Sequence, residues 1–159
     1  MDKPDFVYVT YIKASAEKVW KALTSSEFTQ QYWFGIRFET DWRAGSNFVA
    51  QNSDATMGIS GKILECDPPR RLSYTFLSKQ AQATQEEPSR VVLTLDTVGE
   101  QVKLTVVHDH FAVGSKTLES VSQGWPMVLS GLKSLLETGN ALHIPHPGCA
   151  KAEATASVS

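Results

Sequence analysis

One apolar stripe near the C-terminus limits most strongly what this chain can fold into. Its side chains recur at spacings of three and four residues, the period of one helix face. The members of the stripe are Leu118, Val121, Trp125, Val128, Leu129, Leu132, Leu135 and Leu136. Gly139 follows where a left-handed residue commonly ends a helix. Pro126 lies inside the stripe, so we expect a kink near Gly124-Trp125 or a helix that restarts with Pro126 in its first turn. A helix with one apolar face needs a second layer to cover that face.

The second layer is predicted from a series of β-prone segments that precede the stripe. Phe6–Ile12 is rich in β-branched and aromatic residues. Further strands are predicted at about 37–42, 46–51, 57–66, 71–79, 89–98 and 101–109. The last two are joined by Gly99-Glu100, a signal for a tight hairpin, and the polar residues 80–88 are expected to form a long hairpin loop. Strands in series without helices between them indicate an antiparallel sheet and exclude a doubly wound parallel one.

Two short helices are predicted between the first strand and the others. Ser15 offers an N-cap to the first helix. The apolar face of that helix carries Val19, Trp20 and Leu23. Thr24 is followed three residues later by Glu27, which matches a capping box, so the second helix is expected to run from there towards Trp33. The predicted order of elements, one strand, two short helices, a series of antiparallel strands and one long helix, is that of an α+β domain.

The length and the tail composition suit one domain followed by a short extension. A chain of about 150 residues buries roughly 68–70% of its unfolded surface, and this chain has 159 residues. We assign residues 1–140 to the domain and 141–159 to a flexible tail. The tail has no periodic apolar face and contains Pro145, Pro147 and Gly148, which break helices and strands alike.

Charge and cysteine usage limit the partners and the compartment. Lys and Arg number 15 against 17 acidic residues, a formal charge of −2, which argues against nucleic acid and against an anionic membrane surface. Cys66 and Cys149 form neither a disulfide framework nor a zinc motif. No stretch is apolar for long enough to cross a membrane. We therefore expect a cytoplasmic protein.

Several local motifs carry a resemblance to a known family. They are residues 14–24 (ASAEKVWKALT), 32–35 (YWFG), 41–45 (DWRAG), 61–63 (GKI), 68–72 (PPRRL), and His108-x-x-Phe111 followed by Gly124-Trp125 and the leucine stripe. In this order the chain resembles the family named after the activator of the heat-shock-protein-90 ATPase, over residues 6–139. That family lies within the helix-grip superfamily that includes START domains and birch-pollen-allergen-like proteins.

The resemblance implies a fold and several functions. It implies a curved antiparallel sheet wrapped around the long C-terminal helix, with an apolar cavity between them. Some members of the family are co-chaperones, so the resemblance also implies a chaperone partner as an alternative to a small hydrophobic ligand. The oligomeric state stays open, a dimer included.

His108-Asp109-His110 is the sharpest candidate for chemistry. If the strand continues through these residues, both imidazoles point to the same face and could hold two positions around zinc. The sequence places no third ligand beside them, so a histidine that forms a hydrogen bond at the cavity edge is the better interpretation and no metal or other cofactor is predicted. His108 follows Val102, Leu104 and Val106 by alternation, so it is expected on the apolar face.

The predicted cavity is expected to be lined by aromatic residues with a few polar ones. The candidates are Trp33, Phe34, Trp42, Arg43, Phe48, His108, Trp125 and Leu129. Ligand pockets commonly combine apolar walls with few polar groups, although plain core packing is the simpler role for each residue singly. No nucleophile elbow, dinucleotide fingerprint or phosphate loop occurs, so no catalytic residue is predicted. The leading interpretation is a binding protein, with a chaperone-associated module and an enzyme using acid–base chemistry as alternatives.

Overall fold

Alternating β-prone runs and turn signals produce seven strands and four helices in residues 5–142, which the computed structural model describes. The strands are β1 (Phe6–Ile12), β2 (Arg37–Glu39), β3 (Asn47–Gln51), β4 (Gly58–Asp67), β5 (Arg71–Ser78), β6 (Ser89–Val98) and β7 (Gln101–Asp109). The helices are α1 (Ala16–Thr24), α2 (Ser26–Tyr32), α3 (Lys79–Ala83) and α4 (Thr117–Thr138). This confirms the predicted order of one strand, two short helices, a series of strands and one long helix.

The strands form one antiparallel sheet in the order β1-β7-β6-β5-β4-β3-β2. The predicted tight hairpin is present between β6 and β7. Val98 pairs with Gln101, and Gly99 takes a φ of 61°, a left-handed conformation in which glycine meets no steric penalty. The register of β4 against β5 shifts between Ile63 and Glu65, and such a bulge bends the strand locally.

Helix α4 covers one face of the sheet and completes the core. Its stripe is buried at Val121, Trp125, Val128, Leu129, Leu132 and Leu135. It packs against β1 and against the two short helices. Gly131 permits the close approach of α2, since an added Cβ would lie 3.3 Å from the Cβ of Tyr32. The helix-grip architecture that the resemblance implies is therefore confirmed.

Helix α4 is continuous through Pro126, so the predicted restart at that residue is wrong, while the alternative, a kink near Gly124-Trp125, stays a prediction. Proline lacks the N–H that would bond to the Ser122 carbonyl, and its ring crowds that carbonyl, but burial of the stripe on both sides of Pro126 stabilises the helix across this position. Gly139 ends the helix as predicted, with a φ of 89° and its N–H donated to the Leu135 carbonyl.

Two predicted loop and strand boundaries need correction. The strand predicted at 37–42 ends at Glu39, and Trp42 follows in a loop with a φ of 55°, a value that no strand residue adopts. Residues 80–88 were expected to form a long hairpin loop, but residues 80–83 belong to α3, which begins at Lys79. Ser78 caps this helix by accepting a hydrogen bond from the Ala81 N–H at 3.0 Å.

The helix caps are confirmed at one position and wrong at another. Ser15 caps α1 through a 3.2 Å bond from the Lys18 N–H to its hydroxyl. Thr24, predicted as the cap of α2, instead ends α1 and donates its hydroxyl proton to the Trp20 carbonyl at 2.9 Å. Ser25 takes the N-cap position of α2 without a side-chain bond.

Most of the predicted tail, from residue 143 to 159, lies outside the described residues, so the division at residue 140 stays a prediction. Within residues 5–142, no helix has the length and hydropathy needed to cross a membrane.

Candidate ligand-binding cavity

A cavity of about 210 Å³ lies between the sheet and α4. Its aromatic and aliphatic walls are formed by Trp33, Phe34, Ile36, Met57, Ile59, Phe76, Val121, Trp125 and Val128. The polar lining residues are Thr56, Ser78, Lys79, Gln80, Thr117 and Ser120, and Gly58 and Gly124 complete the lining. An apolar cavity of about 150 Å³ suffices for one benzene ring, so this space can admit a ring or a short branched chain.

The periodicity of the elements explains which side chains reach the cavity. On β5, Phe76 and Ser78 are two residues apart and therefore point to the same face. On α4, Val121, Trp125 and Val128 lie at spacings of four and three, which places them on one face of the helix. The sheet and the helix thus each supply a wall.

The third wall is formed by the chain that leaves α2. Trp33 ends that helix, and Phe34 and Gly35 follow with φ values of 50° and 79°. The left-handed conformations of Phe34 and Gly35 turn the chain sharply, and the rings of Trp33 and Phe34 both line the cavity. The Trp33 ring centroid is 5.3 Å from that of Trp125 across from it.

His108 lies behind the wall that Trp125 and Phe76 form. It is fully buried on β7, and its ring centroid is 4.7 Å from that of Phe76 and 4.6 Å from that of Phe111. Trp125 Nε1 donates a hydrogen bond to His108 Nδ1 at 3.0 Å. His108 Nε2 lies 2.7 Å from Ser89 Oγ, and the Ser89 hydroxyl donates to the Phe76 carbonyl at 3.1 Å.

These contacts settle which histidine nitrogen carries the proton. Because the indole N–H of Trp125 can only donate, Nδ1 of His108 must accept. Because the Ser89 hydroxyl donates its proton to the Phe76 carbonyl, the Ser89 oxygen accepts from His108, and Nε2 of His108 is the donor. His108 is therefore the neutral Nε2–H tautomer. The chain of bonds runs from the Trp125 N–H through His108 and Ser89 to the backbone of β5.

Burial keeps His108 uncharged. Desolvation lowers its pKa to about 3, although the neighbouring Asp109 carboxylate acts in the opposite direction. The Asp109 carboxylate is itself held by Arg90, with Nε–Oδ1 and Nη2–Oδ2 distances of 2.9 and 2.7 Å, and the hydrogen bonds from Arg90 lower the pKa of Asp109. The charge beside the histidine is thus neutralised by a bidentate pair.

The histidine pair considered as a zinc site is not brought together. β7 ends at Asp109, and His110 takes a φ of 61°, so the alternation that would align both rings stops there. The His110 side chain is largely exposed, whereas His108 is buried. Within residues 5–142, no group of three or more potential metal ligands assembles.

The structure separates the predicted lining residues into two groups. Trp33, Phe34 and Trp125 line the cavity. The other candidates, Trp42, Arg43, Phe48, His108 and Leu129, lie outside its lining. Trp42 and Phe48 join an aromatic cluster around Phe38, Leu129 is buried in the core, and Arg43 is exposed in the loop after β2.

Sequence reasoning missed the polar residues that line the cavity. Ser78, Lys79 and Gln80 come from the end of β5 and the start of α3, which the sequence analysis assigned to a strand and a loop. The signal that could have located them is the serine, because serine followed by a short alanine-containing segment is typical of a helix N-terminus. Thr117 and Ser120 precede or interrupt the leucine stripe and therefore carry no apolar period.

The Tyr74 hydroxyl, unlike the His108 ring, is a buried polar group without a partner in the described residues. The Tyr74 hydroxyl on β5 forms no hydrogen bond with any residue in the described range 5–142, although the side chain is 1% exposed. Burial raises the pKa of Tyr74 well above its ordinary value. Its ring packs against Phe38 and Phe48, with centroid distances of 6.3 and 5.2 Å. By contrast, the Tyr32 hydroxyl donates to the Ala22 carbonyl at 2.8 Å.

Comparison with solved structures finds the same fold in several bacterial proteins. The crystal structure of CalU16 from Micromonospora echinospora has 27% identity and a TM-score of 0.68, covering 85% of this chain and 77% of that one. ChR145 from Cytophaga hutchinsonii has 26% identity and a TM-score of 0.67, covering 87% and 97%. The Aha1 dimer from Colwellia psychrerythraea has 20% identity and a TM-score of 0.71, covering 86% and 98%, and shows likeness of fold alone.

Comparison with curated proteins gives no significant match. The sequence profile described as "Activator of Hsp90 ATPase homolog 1-like protein" matches residues 13–137, which is most of the chain and includes α1, α2, the sheet from β2 onwards and nearly all of α4. The chain therefore belongs to the Activator of Hsp90 ATPase homolog 1-like family.

Proposed function

We propose that this protein binds a small apolar molecule in the cavity between the sheet and α4. The observation that carries the proposal is the lining itself, in which Trp33, Phe76 and Trp125 present aromatic surface to a space large enough for a ring. Ligand sites are typically concave and lined mostly by apolar and aromatic side chains with a few polar groups, and this cavity of about 210 Å³ has such a lining.

The buried hydrogen bonds behind the wall support binding, since they fix its shape in advance. Trp125 is held by His108, and His108 is held by Ser89. A ligand that enters a preformed site does not have to order these side chains, which lowers the cost of binding. The predicted role of His108 in ligand binding is thus proposed as indirect, through the position of Trp125.

The lining favours binding over acid–base chemistry. Among the described residues that line the cavity, Lys79 is the one ionisable side chain, and its ammonium donates to the Ala55 carbonyl. General acid–base catalysis needs a group with a pKa near the working pH within hydrogen-bond reach of the substrate. His108 does not meet this need, because it is buried behind the wall and its pKa is about 3.

Gly124 allows the cavity to be filled without damage to the fold. It lines the cavity, and a Cβ added to it would have no protein atom within 4 Å. The Gly124→Leu variant should therefore place an isobutyl group in the cavity. Replacing glycine in a helix interior should also stabilise the helix by up to about 1 kcal/mol.

The test uses 4-phenyl-1-butanol, a neutral probe whose ring fits the space, and isothermal titration calorimetry with the wild type and two variants. We expect the wild type and the matched control Gly124→Ala to bind the probe, and Gly124→Leu to bind it at least tenfold more weakly while melting at the same or a higher temperature. Equal binding by Gly124→Leu, or no binding by the wild type to this or other aryl alcohols, would overturn the proposal.

A further inference from the structure

We infer that the ligand of this cavity carries an uncharged hydrogen-bond acceptor, such as a ketone carbonyl, to which the hydroxyls of Ser78 and Thr117 donate. The inference rests on the proposed function and adds the chemical class of the ligand. It is argued from these two lining hydroxyls, whose protons lack a well-formed acceptor, and from the charges that surround them.

Thr117 supplies a buried hydroxyl to the helix wall of the cavity. It is the first residue of α4, lines the cavity and is only 9% exposed. Its Oγ1 lies 3.5 Å from Glu86 Oε1, whereas bonds from a hydroxyl to an oxygen are commonly about 2.5–3.0 Å long. The Thr117 hydroxyl therefore donates only a weak bond inside the protein. Because a buried hydroxyl without a good partner is unfavourable, an acceptor on the ligand would stabilise it.

Ser78 supplies a second hydroxyl from the sheet wall. It ends β5 on the same face as Phe76, lines the cavity and is half-buried. Its oxygen accepts the Ala81 N–H at 3.0 Å as the N-cap of α3. Its own proton has no acceptor among residues 5–142. Ser78 can therefore donate to a ligand without losing the bond that caps α3.

The charge beside Thr117 disfavours a carboxylate as the acceptor. Glu86 accepts hydrogen bonds from the hydroxyls of Ser115 at 2.7 Å and Thr84 at 3.0 Å, in addition to the long contact with Thr117. Since all of these donors are neutral, the Glu86 carboxylate keeps its negative charge. A ligand carboxylate that accepted the Thr117 proton would lie close to this charge and be repelled by it.

The lysines around the opening do not offset this repulsion. Lys79 lines the cavity, donates to the Ala55 carbonyl and lies in electrostatic contact with the Asp54 carboxylate. Lys116 and Glu119 both line a neighbouring depression, so a carboxylate accompanies that lysine as well. Carboxylates thus at least balance the ammonium groups. An uncharged acceptor also loses less hydration than a carboxylate when it enters a site with apolar walls.

Three probes of the same shape test the inference by calorimetry. They are 4-phenyl-2-butanone, 3-phenylpropanoate and 3-methylbutylbenzene, which share one skeleton and carry a carbonyl, a carboxylate or only carbon at its branched end. We expect the ketone to bind about tenfold more tightly than the carboxylate, or better. Glu86→Gln should narrow this gap by strengthening the carboxylate alone, because it removes the negative charge beside Thr117 and keeps an oxygen for the Ser115 hydroxyl.

Removal of either hydroxyl should weaken the ketone selectively. Thr117→Val keeps the shape of the side chain and should weaken the ketone about 2- to 12-fold, the contribution of one hydrogen bond, while 3-methylbutylbenzene binds as before. Ser78→Ala also removes the cap of α3, which affects both probes alike, so the extra loss for the ketone reports the bond to the ligand. Thr105→Val, on the opposite face of the sheet, is the matched control and should change neither probe.

Infrared spectroscopy of the bound ketone reports the same hydrogen bonds directly. A bond to a carbonyl oxygen lowers the stretching frequency of the carbonyl. We therefore expect the carbonyl band in the wild type to lie at a lower frequency than in Thr117→Val or Ser78→Ala, and the band in Thr105→Val to match the wild type.

The outcomes separate the two proposals. If Thr117→Val and Ser78→Ala affect the ketone and the hydrocarbon equally and the carbonyl band does not move, the inferred acceptor is wrong while the cavity remains a binding site. Tighter binding of the carboxylate than of the ketone would contradict the uncharged class. If neither these three probes nor 4-phenyl-1-butanol binds, the proposed function itself fails.

Discussion

Replacing His108 should show whether one hydrogen-bond chain holds the cavity wall. In His108→Leu, the buried N–H of Trp125 loses its acceptor, while Ser89 keeps its bond to the Phe76 carbonyl. An unsatisfied buried donor costs about 1–3 kcal/mol. In Trp125→Phe, His108 Nδ1 loses its donor in the same way. Each single variant therefore contains one orphaned group, and the double variant contains neither half of the bond.

A double-mutant cycle measures the bond between His108 and Trp125 directly. We expect the free energy lost by the double variant to be smaller than the sum of the two single losses by about 1–3 kcal/mol. The assay is equilibrium unfolding in urea, followed by far-ultraviolet circular dichroism. The control cycle combines Trp125→Phe with Leu64→Ala, a half-exposed residue of β4, and should be additive. Additivity within about 0.5 kcal/mol for the His108 pair would refute the hydrogen-bond chain as described.

The remaining predictions concern stability. Below pH 6.5 the unfolded chain binds a proton at residue 108, whereas the folded protein, in which the pKa of His108 is about 3, does not. The free energy of unfolding should therefore fall by about 1.4 kcal/mol per pH unit as the pH is lowered from 6.5 towards 3. Urea titrations at several pH values should show this slope in the wild type but not in His108→Leu. Tyr74→Phe removes a buried hydroxyl without a partner in the described residues, so it should leave the melting temperature unchanged or raise it. The matched variant Tyr32→Phe breaks the hydrogen bond to the Ala22 carbonyl and should cost about 1 kcal/mol of stability. The reverse order would contradict both assignments. Gly61→Ala should unfold the protein or lower its melting temperature sharply, because the added Cβ would lie 2.1 Å from the Thr75 carbonyl oxygen; an unchanged melting temperature would show that β4 and β5 lie further apart.

The regular elements could be predicted because each has its own period. The stripe on α4 and the alternation in β7 are local patterns, and burial of Val121 or His108 follows from them. The family resemblance added the way in which the sheet covers the helix. These two sources together predict the order and packing of the main elements, but not α3 or the early end of β2.

The cavity could be predicted only in part, because it depends on residues that meet across elements. Trp33 and Trp125 were predicted to line it from their aromatic character, and they do lie at the cavity. Phe48 has the same character but packs against Phe38 and Tyr74, and no local pattern distinguishes the two situations. Ser78 and Thr117 line the cavity from distant parts of the sequence, so their proximity follows from the topology.

In α4, burial of the apolar stripe outweighs the tendency of proline to interrupt a helix. Pro126 predicts either a kink near Gly124-Trp125 or a restart of the helix, and the restart is wrong, since apolar side chains on both sides of Pro126 are buried in one core and stabilise a continuous helix. The sequence contains both the proline and the apolar stripe, and the packing of the stripe explains why the helix is continuous.

The most direct test of the binding cavity is the location of a bound probe. With methyl-labelled protein and 4-phenyl-1-butanol, intermolecular nuclear Overhauser effects report which methyl groups lie near the phenyl ring. We predict effects to Ile59, Val121 and Val128, which line the cavity. Effects confined to Val7 and Val9, which are exposed on β1, would place the probe on the surface and contradict the proposal.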